Sequence, residues 1–186
     1  RKSDGILITA GAGMSVDSGL PDFRSSGGFW NAYPAFREHN LNFQDIATPM
    51  SFETHTELIY WFYGHRLVQY RNTTPHEGYQ ILKRWAAEKP HGYFVFTSNV
   101  DGHFQKAGFE EKRVYEVHGT LERMQCVHDC HHQSWTAEDF QPEVDNVNLR
   151  LTSPYPRCPF CGGLARQNVL MFDDWFYNSN YQDLKR

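Results

Sequence analysis

The sequence has no long apolar run, no strong net charge and no recognisable leader segment. No apolar stretch approaches the roughly 20 residues that a transmembrane helix needs. The formal net charge is -4, so the chain offers no basic surface for nucleic acid or for an anionic membrane. No charged segment followed by an apolar one precedes the first apolar run, as a signal peptide would. We therefore expect a cytoplasmic protein that binds neither nucleic acid nor membrane.

The two ends of the chain also lack expected features. The chain begins at Arg1 without a methionine, and it stops at Arg186 without a capping motif. We expect a chain that is truncated at both ends. Its 186 residues, of which 40% are hydrophobic and 16% aromatic, are enough for one folded main domain with an inserted module.

Cysteine is scarce, and its few positions are informative. The four cysteines form two close pairs, Cys126 with Cys130 and Cys158 with Cys161. In a reducing compartment such pairs indicate metal ligation in preference to disulfides. Four thiolates give zinc a complete tetrahedral set with no open position, which is typical of a structural site. We expect zinc to fold the segment around them, because that segment has little apolar core of its own.

The first cysteine pair leaves a second ligand set open. Three residues separate its cysteines instead of two, and three histidines lie close by, namely His128, His131 and His132. A set of three cysteines and one histidine is therefore an alternative to four cysteines.

Short apolar runs predict the strands of a parallel sheet. The runs are Gly5–Ala10, Tyr93–Thr97 and Val114–Val117. Polar residues or glycines follow each run, and ligands bind at the carboxyl ends of strands in open α/β sheets. Strand character returns at Asn168–Phe172, so the cysteine segment is predicted to interrupt one continuous sheet.

Two helices are predicted between the first two strands. Thr48 and Pro49 supply an N-cap and a first-turn proline for one helix. Its apolar residues are Leu58, Ile59, Phe62, Tyr63 and Leu67. The second helix is predicted over His76–Glu88, where Lys89 and Pro90 end it.

A glycine turn, Gly11-Ala12-Gly13, follows the first strand. Glycines let backbone N–H groups approach a pyrophosphate closely. The spacing departs from the dinucleotide-binding fingerprint because the next glycine is Gly19, so the turn alone is equally compatible with an ordinary strand-to-helix connection. Downstream, Asp22, Phe23 and Arg24 place a carboxylate, an aromatic ring and a guanidinium near this turn. The alternative for these residues is a surface loop with an ion pair.

Polar side chains follow the second and third predicted strands. Ser98, Asn99 and Asp101 come after one strand, and His118 comes after the next. An amide and a carboxylate can hold a carboxamide or a ribose hydroxyl, although such residues also form ordinary turns. The imidazole of His118 is suited to general base chemistry at neutral pH, although a single histidine is more often structural.

Five ordered motifs together resemble those of the sirtuins, the NAD-dependent protein lysine deacylases. The motifs are Gly11–Ser15, Gly19–Arg24, Thr97–Asp101, Val117–Gly119 and the two cysteine pairs. They occur in the order and approximate spacing of that family, and the resemblance covers essentially the whole chain.

The resemblance implies an α/β fold, a Rossmann-like parallel sheet with helices on both faces plus a small helical and zinc-ribbon domain. The NAD-binding domain would comprise residues 1–30, 91–120 and 166–186, the helical insert residues 31–90 and the zinc module residues 121–165. NAD would be the cosubstrate, zinc a structural ion, and acyl-lysine proteins the substrates.

The resemblance also implies roles for individual residues. The NAD pyrophosphate would lie on Ala10, Gly11, Ala12, Gly13 and Ser15, with Gly19 and Ser98 as further NAD contacts. The loop over the nicotinamide ribose would contain Asp22, Phe23 and Arg24. Asn99 and Asp101 would shape the nicotinamide pocket and assist catalysis, and His118 would be the general base on the ribose hydroxyls. The products would be free lysine, nicotinamide and O-acyl-ADP-ribose.

A Tyr-x-x-Arg pair suggests an acyl preference. Tyr63 and Arg66 lie three residues apart, so they share one face of the predicted helix. The pair resembles that of the sirtuin class that removes succinyl and malonyl groups, in which an arginine could bind a carboxylate bidentately. Gly27–Trp30 is similar to the same class. The alternative is an amphipathic helix in which Tyr63 packs and Arg66 is solvated.

Some positions depart from the family pattern. Ser98 stands where glutamine is usual, and Asp173 stands where glycine is usual, so a positive φ at that position would cause strain. The family's later loops on the adenosine side of NAD have no counterpart before Arg186. NAD glycohydrolysis or ADP-ribosyl transfer, and a degenerate NAD-binding module, are therefore alternative functions.

Overall fold

The computed structural model describes residues 3–22 and 26–179. The strands are β1 (Ile6–Ala10), β2 (Tyr93–Thr97), β3 (Val114–Glu116), β4 (Gly119–Cys126), β5 (Ser134–Thr136), β6 (Val144–Asp145), β7 (Arg150–Leu151) and β8 (Ala165–Val169). The helices are α1 (Gly13–Val16), α2 (Ser26–Ala32), α3 (Pro34–Glu38), α4 (Phe43–Ile46), α5 (Ser51–Thr54), α6 (Thr56–Asn72), α7 (Glu77–Ala87) and α8 (His103–Lys106). None of the helices in these described ranges is long and apolar enough to cross a membrane.

A parallel sheet in the order β1-β2-β3 positions the candidate site. Its central strand is apolar, as predicted, and Val95 pairs in register with Ile8 on one side and Val114 on the other. These residues are buried in a core that also contains Tyr79 and Phe104. Because all three strands run in one direction, their carboxyl ends meet at one edge of the sheet.

The face of the parallel sheet that points away from this core is more exposed to solvent. Leu7 of β1 is 68% exposed and Phe96 of β2 is 42% exposed. The Phe96 ring packs edge-on against Tyr115 of β3, with 5.6 Å between the ring centroids. Side chains alternate between the faces of a strand, so the residues that face the core and those that face outward follow one another along β1 and β2.

The helical insert packs around α6, whose buried residues are largely aromatic. The sequence predicted that this helix starts at Thr48 and Pro49, and that prediction was wrong. The structure has two helices there, because His55 adopts φ -134° and ends α5 before α6 begins at Thr56. The prediction for α7 is confirmed to within a residue at each end, and the His76 side chain caps it by accepting a hydrogen bond from the Gly78 N–H.

The cysteine-containing region forms a second, antiparallel sheet in the order β5-β4-β8. The prediction that the strand near residues 168–172 rejoins the parallel sheet was therefore wrong. The strand is β8, which ends at Val169, and it pairs with β4, where Gly119 lies opposite Val169 and Cys126 opposite Ala165. Every residue of β8 is buried, although its centre is polar. A small hairpin, β6 with β7, packs against α6.

Candidate functional site

Two loops at the carboxyl edge of the parallel sheet begin side by side. Ala10, Thr97 and Glu116 are aligned across the three strands. The ladder continues past the strand ends, since the Ser98 N–H donates to the Ala10 carbonyl at 3.1 Å and the Val117 N–H donates to the Thr97 carbonyl at 2.9 Å. The structure therefore places the glycine turn beside the Ser98–Asp101 loop.

Ser15 is the centre of a buried network that joins these two loops. Its hydroxyl donates to Oδ2 of Asp101 at 2.5 Å and lies 3.3 Å from Nδ2 of Asn99 and 3.0 Å from the Tyr79 hydroxyl. The Asn99 amide also donates to the Gly11 carbonyl at 3.0 Å. Ser15 is 3% exposed and Asn99 is 7% exposed. Their side chains hold the two loops together, which leaves the loop backbones and neighbouring side chains to meet a ligand.

The glycine turn is open to an approaching ligand at Gly13. A Cβ atom added there would have no other heavy atom within 4 Å. His76 holds the segment after the turn in place. Its Nε2 lies 2.8 Å from the Met14 carbonyl, and its backbone N–H donates to Ser18 Oγ. A fixed backbone with free space above it is suited to binding a phosphate group through N–H donors.

Glu116 places a buried carboxyl group next to this network. Glu116 is 8% exposed. Burial raises the pKa of its carboxyl to about 8, and the negative charge of Asp101 acts in the same direction. A carboxyl group in these surroundings is largely protonated at neutral pH. Asp101 itself accepts hydrogen bonds from the Ser15 hydroxyl and from the His103 backbone N–H, at 3.0 Å for the latter.

His118 is exposed between β3 and β4, at the edge where the two loops lie. Its backbone carbonyl accepts a hydrogen bond from the Leu170 N–H at 2.8 Å. Gly119 has φ +76°, and a Cβ there would lie 2.1 Å from the Asn168 carbonyl oxygen. The glycine after the histidine is therefore required by the close approach of β8, and the imidazole remains accessible.

The remaining predicted loop is only partly described. Gly19 has φ +92°, in the left-handed region that favours glycine, and Asp22 is half-buried. Phe23 and Arg24 lie outside the described residues.

Tyr63 and Arg66 are both buried on α6, at 1% and 5% exposure. The Arg66 guanidinium donates to the Tyr70 hydroxyl from Nε at 3.2 Å and from Nη2 at 2.9 Å. It also lies 5.2 to 5.8 Å from the ring centroids of Phe62, Tyr63 and Tyr70. The alternative of a solvated arginine is therefore wrong, whereas Tyr63 does pack in the core.

The four cysteine sulfurs converge, as the sequence predicted. All four lie within 4.8 Å of one another, and Sγ of Cys126 is 3.7 Å from Cys161 and Sγ of Cys130 is 3.7 Å from Cys158. These distances are far longer than a disulfide bond of about 2.05 Å. A zinc ion with sulfur ligands at about 2.3 Å would hold the sulfurs about 3.8 Å apart in a tetrahedron. The donor set therefore fits a structural zinc ion, and His131 Nδ1 lies outside it, 3.3 Å from Cys130 Sγ.

Comparison with known proteins identifies the family. A family profile described as the Sir2 family matches residues 11–185. The chain belongs to the Sir2 family. The NAD-dependent protein deacylase of Aquifex aeolicus is 32% identical over 169 residues, which are 91% of this chain and 62% of that protein. The mitochondrial NAD-dependent protein deacylase sirtuin-5 of Canis lupus familiaris is 30% identical over an alignment of 192 positions, which covers 93% of this chain and 57% of that protein.

Solved structures of Sir2 homologues share the fold. One, in complex with ADP-ribose, superposes with a TM-score of 0.70 at 26% identity and covers 97% of this chain and 63% of that one. A complex of a Sir2 homologue with NAD gives a TM-score of 0.69 at 27% identity, covering 91% of this chain and 58% of that one. The predicted Rossmann-like α/β fold is confirmed. The chain spans about three fifths of the length of the curated relatives that it matches.

Three residues of this Sir2-family site were not found from the sequence. His76 caps α7 and Tyr79 lies on it, far along the chain from the α1 residues that they contact. Nothing local in the sequence indicates those contacts. Glu116 could have been found, because it is an acidic residue inside an apolar strand whose end was predicted to face a ligand.

Proposed function

We propose that this chain carries the NAD-binding and catalytic residues of an NAD-dependent protein lysine deacylase. The observation that carries the proposal is the buried Ser15 network, which fastens the glycine turn to the Asn99 and Asp101 loop at the sheet edge where His118 is exposed. Family membership and relatives named as NAD-dependent deacylases support it. Acyl-lysine proteins in the cytoplasm would be the substrates.

The residues fit the binding of NAD in the following way. The backbone from Ala10 to Gly13 would hold the pyrophosphate, where the open space at Gly13 gives room for it. Gly19 and Asp22 would belong to the loop over the nicotinamide ribose, together with Phe23 and Arg24. The Ser98–Asp101 loop would form the nicotinamide pocket. The Asn99 and Asp101 side chains would act there by fixing the loop, because both are engaged within the protein.

His118 would act as the general base. When bound, NAD would supply the ADP-ribosyl group that accepts the acyl group. An exposed imidazole at the end of β3 can take a proton from a ribose hydroxyl at neutral pH. The protonated Glu116 carboxyl would limit the negative charge at this edge to that of Asp101. The four cysteines would hold zinc away from the chemistry, because their full set has no vacancy for water or substrate.

A direct test is to incubate the protein with NAD and with acetylated or succinylated peptides. Nicotinamide release that depends on the acyl peptide supports a deacylase. Release without the peptide points to a glycohydrolase or ADP-ribosyl transferase, and NAD binding without release points to a degenerate binding module. His118→Tyr is expected to abolish turnover while leaving thermal unfolding unchanged. His91→Tyr, an exposed histidine before the opposite end of β2, is the matched control and keeps activity.

We also propose a preference for acidic acyl groups, based on Tyr63 and Arg66. The guanidinium is a buried cation beside aromatic rings, so a carboxylate that reached it would gain a strong charge-assisted pair in place of the Tyr70 hydroxyl. Arg66→Met is expected to reduce desuccinylation at least about tenfold more than deacetylation, which corresponds to about 1.4 kcal/mol. Arg37→Met, at an exposed arginine of α3, controls for charge. Equal losses on both substrates would remove the basis for the preference.

A further inference from the structure

A fully buried ion pair closes the segment that follows β8. Arg166 donates from Nη2 to both carboxylate oxygens of Asp174, at 2.8 and 2.7 Å, and both side chains have 0% exposure. Nη1 of Arg166 also donates to the Val169 carbonyl at 3.3 Å. The guanidinium therefore connects the end of β8 to a carboxylate eight residues further along the chain.

Asp174 also receives backbone hydrogen bonds from the segment itself. Its carboxylate accepts from the Phe176 N–H at 3.1 Å and from the Met171 N–H at 3.4 Å. The residue before it, Asp173, has φ 55°, which an aspartate tolerates better than most residues. The carboxylate therefore determines the path of the backbone from residue 170 to residue 176, which we call the clamp segment.

The clamp segment lies directly against the candidate site. The Leu170 N–H donates to the His118 carbonyl, and the Phe172 N–H donates to the Ala47 carbonyl, each at 2.8 Å. One segment thus bridges the strand end that carries the imidazole and the loop before α5. Because these contacts come from the backbone, they depend on the path that the ion pair imposes.

The clamp segment, which hydrogen-bonds to His118 through the Leu170 N–H, carries four exposed apolar side chains. The exposed ones are Leu170 at 44%, Phe172 at 43%, Trp175 at 91% and Phe176 at 52%. Two other side chains of the same segment, those of Met171 and Asp174, are buried. A change in the backbone path would turn the exposed residues relative to His118.

We propose that the Arg166–Asp174 pair is a positioning device that fixes the clamp segment beside His118 and thereby sets the affinity for the acyl-lysine peptide. This inference rests on the proposed deacylase function. Neither side chain can touch a substrate, since both are buried. A buried ion pair is often no more stabilising than apolar residues of similar size, so stability alone does not account for it.

Asp174→Asn removes the charge with little change of shape. We expect it to raise the KM for the acyl peptide about tenfold, whereas the KM for NAD changes less than about twofold. Asp173→Asn is the matched control, because it makes the same chemical change one residue away at an exposed position whose positive φ asparagine accepts. Parallel increases in both KM values, or an unchanged peptide KM, would overturn the proposal.

A double variant separates positioning from stability. Arg166→Met with Asp174→Leu replaces the pair by apolar side chains, which is expected to restore the thermal stability lost in Asp174→Asn. Under our proposal the peptide KM stays raised in this double variant, because the backbone path is no longer specified. Recovery of both stability and peptide KM would show that the pair only stabilises the fold.

Hydrogen exchange gives a readout that does not need activity. The amides of Leu170 and Phe172 are expected to lose protection in Asp174→Asn and to keep it in Asp173→Asn. If the unmodified protein shows no acyl-dependent nicotinamide release, the proposed function fails, and the exchange result still decides whether the ion pair positions the segment. Unchanged protection in Asp174→Asn would overturn that part.

Discussion

The two main sheets of this protein treat buried ionisable groups in opposite ways. In the antiparallel sheet, Arg166 is buried against the opposite charge of Asp174. At the edge of the parallel sheet, Glu116 is buried near the like charge of Asp101. Close by, His103 is fully buried, and neither of its ring nitrogens has a hydrogen-bond partner among residues 3–22 and 26–179.

This difference separates a buried charge with a structural role from buried groups that lie at a functional site. A buried charge that meets its opposite fixes a backbone path and leaves the group ionised. A buried group beside a like charge, or without a partner, shifts its pKa and costs stability, and such groups cluster at functional sites. Burial of ionisable groups therefore costs stability at the edge of the parallel sheet, and the candidate NAD site lies at the same edge.

The largest expected effect concerns the antiparallel sheet, whose region contains the cysteine cluster. Cys158→Ser removes one of four zinc ligands, and we expect loss of the bound zinc. The free energy of unfolding should fall by roughly 3 kcal/mol or more, since zinc binding by small zinc-finger peptides is worth about 10–16 kcal/mol. Metal analysis and thermal unfolding with and without a chelator measure this. His128→Ala, at an exposed histidine between the first two cysteines, is the control.

Hydrogen exchange shows whether the two sheets depend on each other. In Cys158→Ser, the amides of β5 and of residues 157–164 are expected to lose protection, while those of β1 and β2 keep it. Equal loss in both sheets would mean that they unfold as one unit and that the comparison describes a single cooperative structure.

The sequence predicted the parallel sheet because its strands are short apolar runs. The register of Ile8, Val95 and Val114 buries those runs in one core, so local composition and tertiary position agree. The cysteine cluster was predictable for a similar reason, since its ligands are of one type and closely spaced.

β8 could not be predicted, because its burial depends on distant partners. All five of its residues are buried, and the middle three are Arg166, Gln167 and Asn168. These polar residues give no apolar period, and Asp174 and Asn178, which pair with Arg166 and Asn168, lie in the segment after β8. The Ser15 network could not be predicted either, because Ser15 and Asp101 are 86 positions apart in the sequence.

The second prediction concerns the parallel sheet and tests the raised pKa of Glu116 at its edge. Because burial raises the pKa of its carboxyl to about 8, the unfolded chain releases this proton at lower pH than the folded one. Its contribution to stability therefore falls as pH rises from about 4.5 to 8, by on the order of 2 kcal/mol between pH 5 and pH 7. Glu116→Gln should remove this loss and become progressively more stable than the unmodified protein as pH rises.

Chemical denaturation at several pH values measures that difference. The groups that interact with the Glu116 carboxyl include Asp101, Gln105, Thr120, Glu111 and Tyr177. None of them changes in the variant, so the difference between the two curves isolates Glu116. Glu88→Gln, at an exposed position after α7, should give a curve parallel to that of the unmodified protein. A constant difference for Glu116→Gln across pH 5 to 8 would contradict the raised pKa.

The smallest effect is expected at His103 and has the opposite pH dependence. Burial lowers the pKa of this imidazole, with Asp101 opposing the shift, so the folded protein holds it neutral. His103→Leu removes a buried ring whose nitrogens have no hydrogen-bond partner among the residues that the structure describes, and it should stabilise the protein by about 1 kcal/mol at pH 7.5. The gain should grow as pH falls below about 6.5, where the unfolded histidine binds a proton that the folded one does not.

The control for this substitution is His91→Leu, at an exposed histidine on the loop before β2. It should leave the stability within about 0.5 kcal/mol of the unmodified protein. If His103→Leu is instead destabilising at every pH, the imidazole makes favourable contacts in the folded state, and His103 no longer differs from the Arg166–Asp174 pair. If the variant is more stable but loses nicotinamide release, the cost of burying His103 is tied directly to the activity of the neighbouring Asp101 loop.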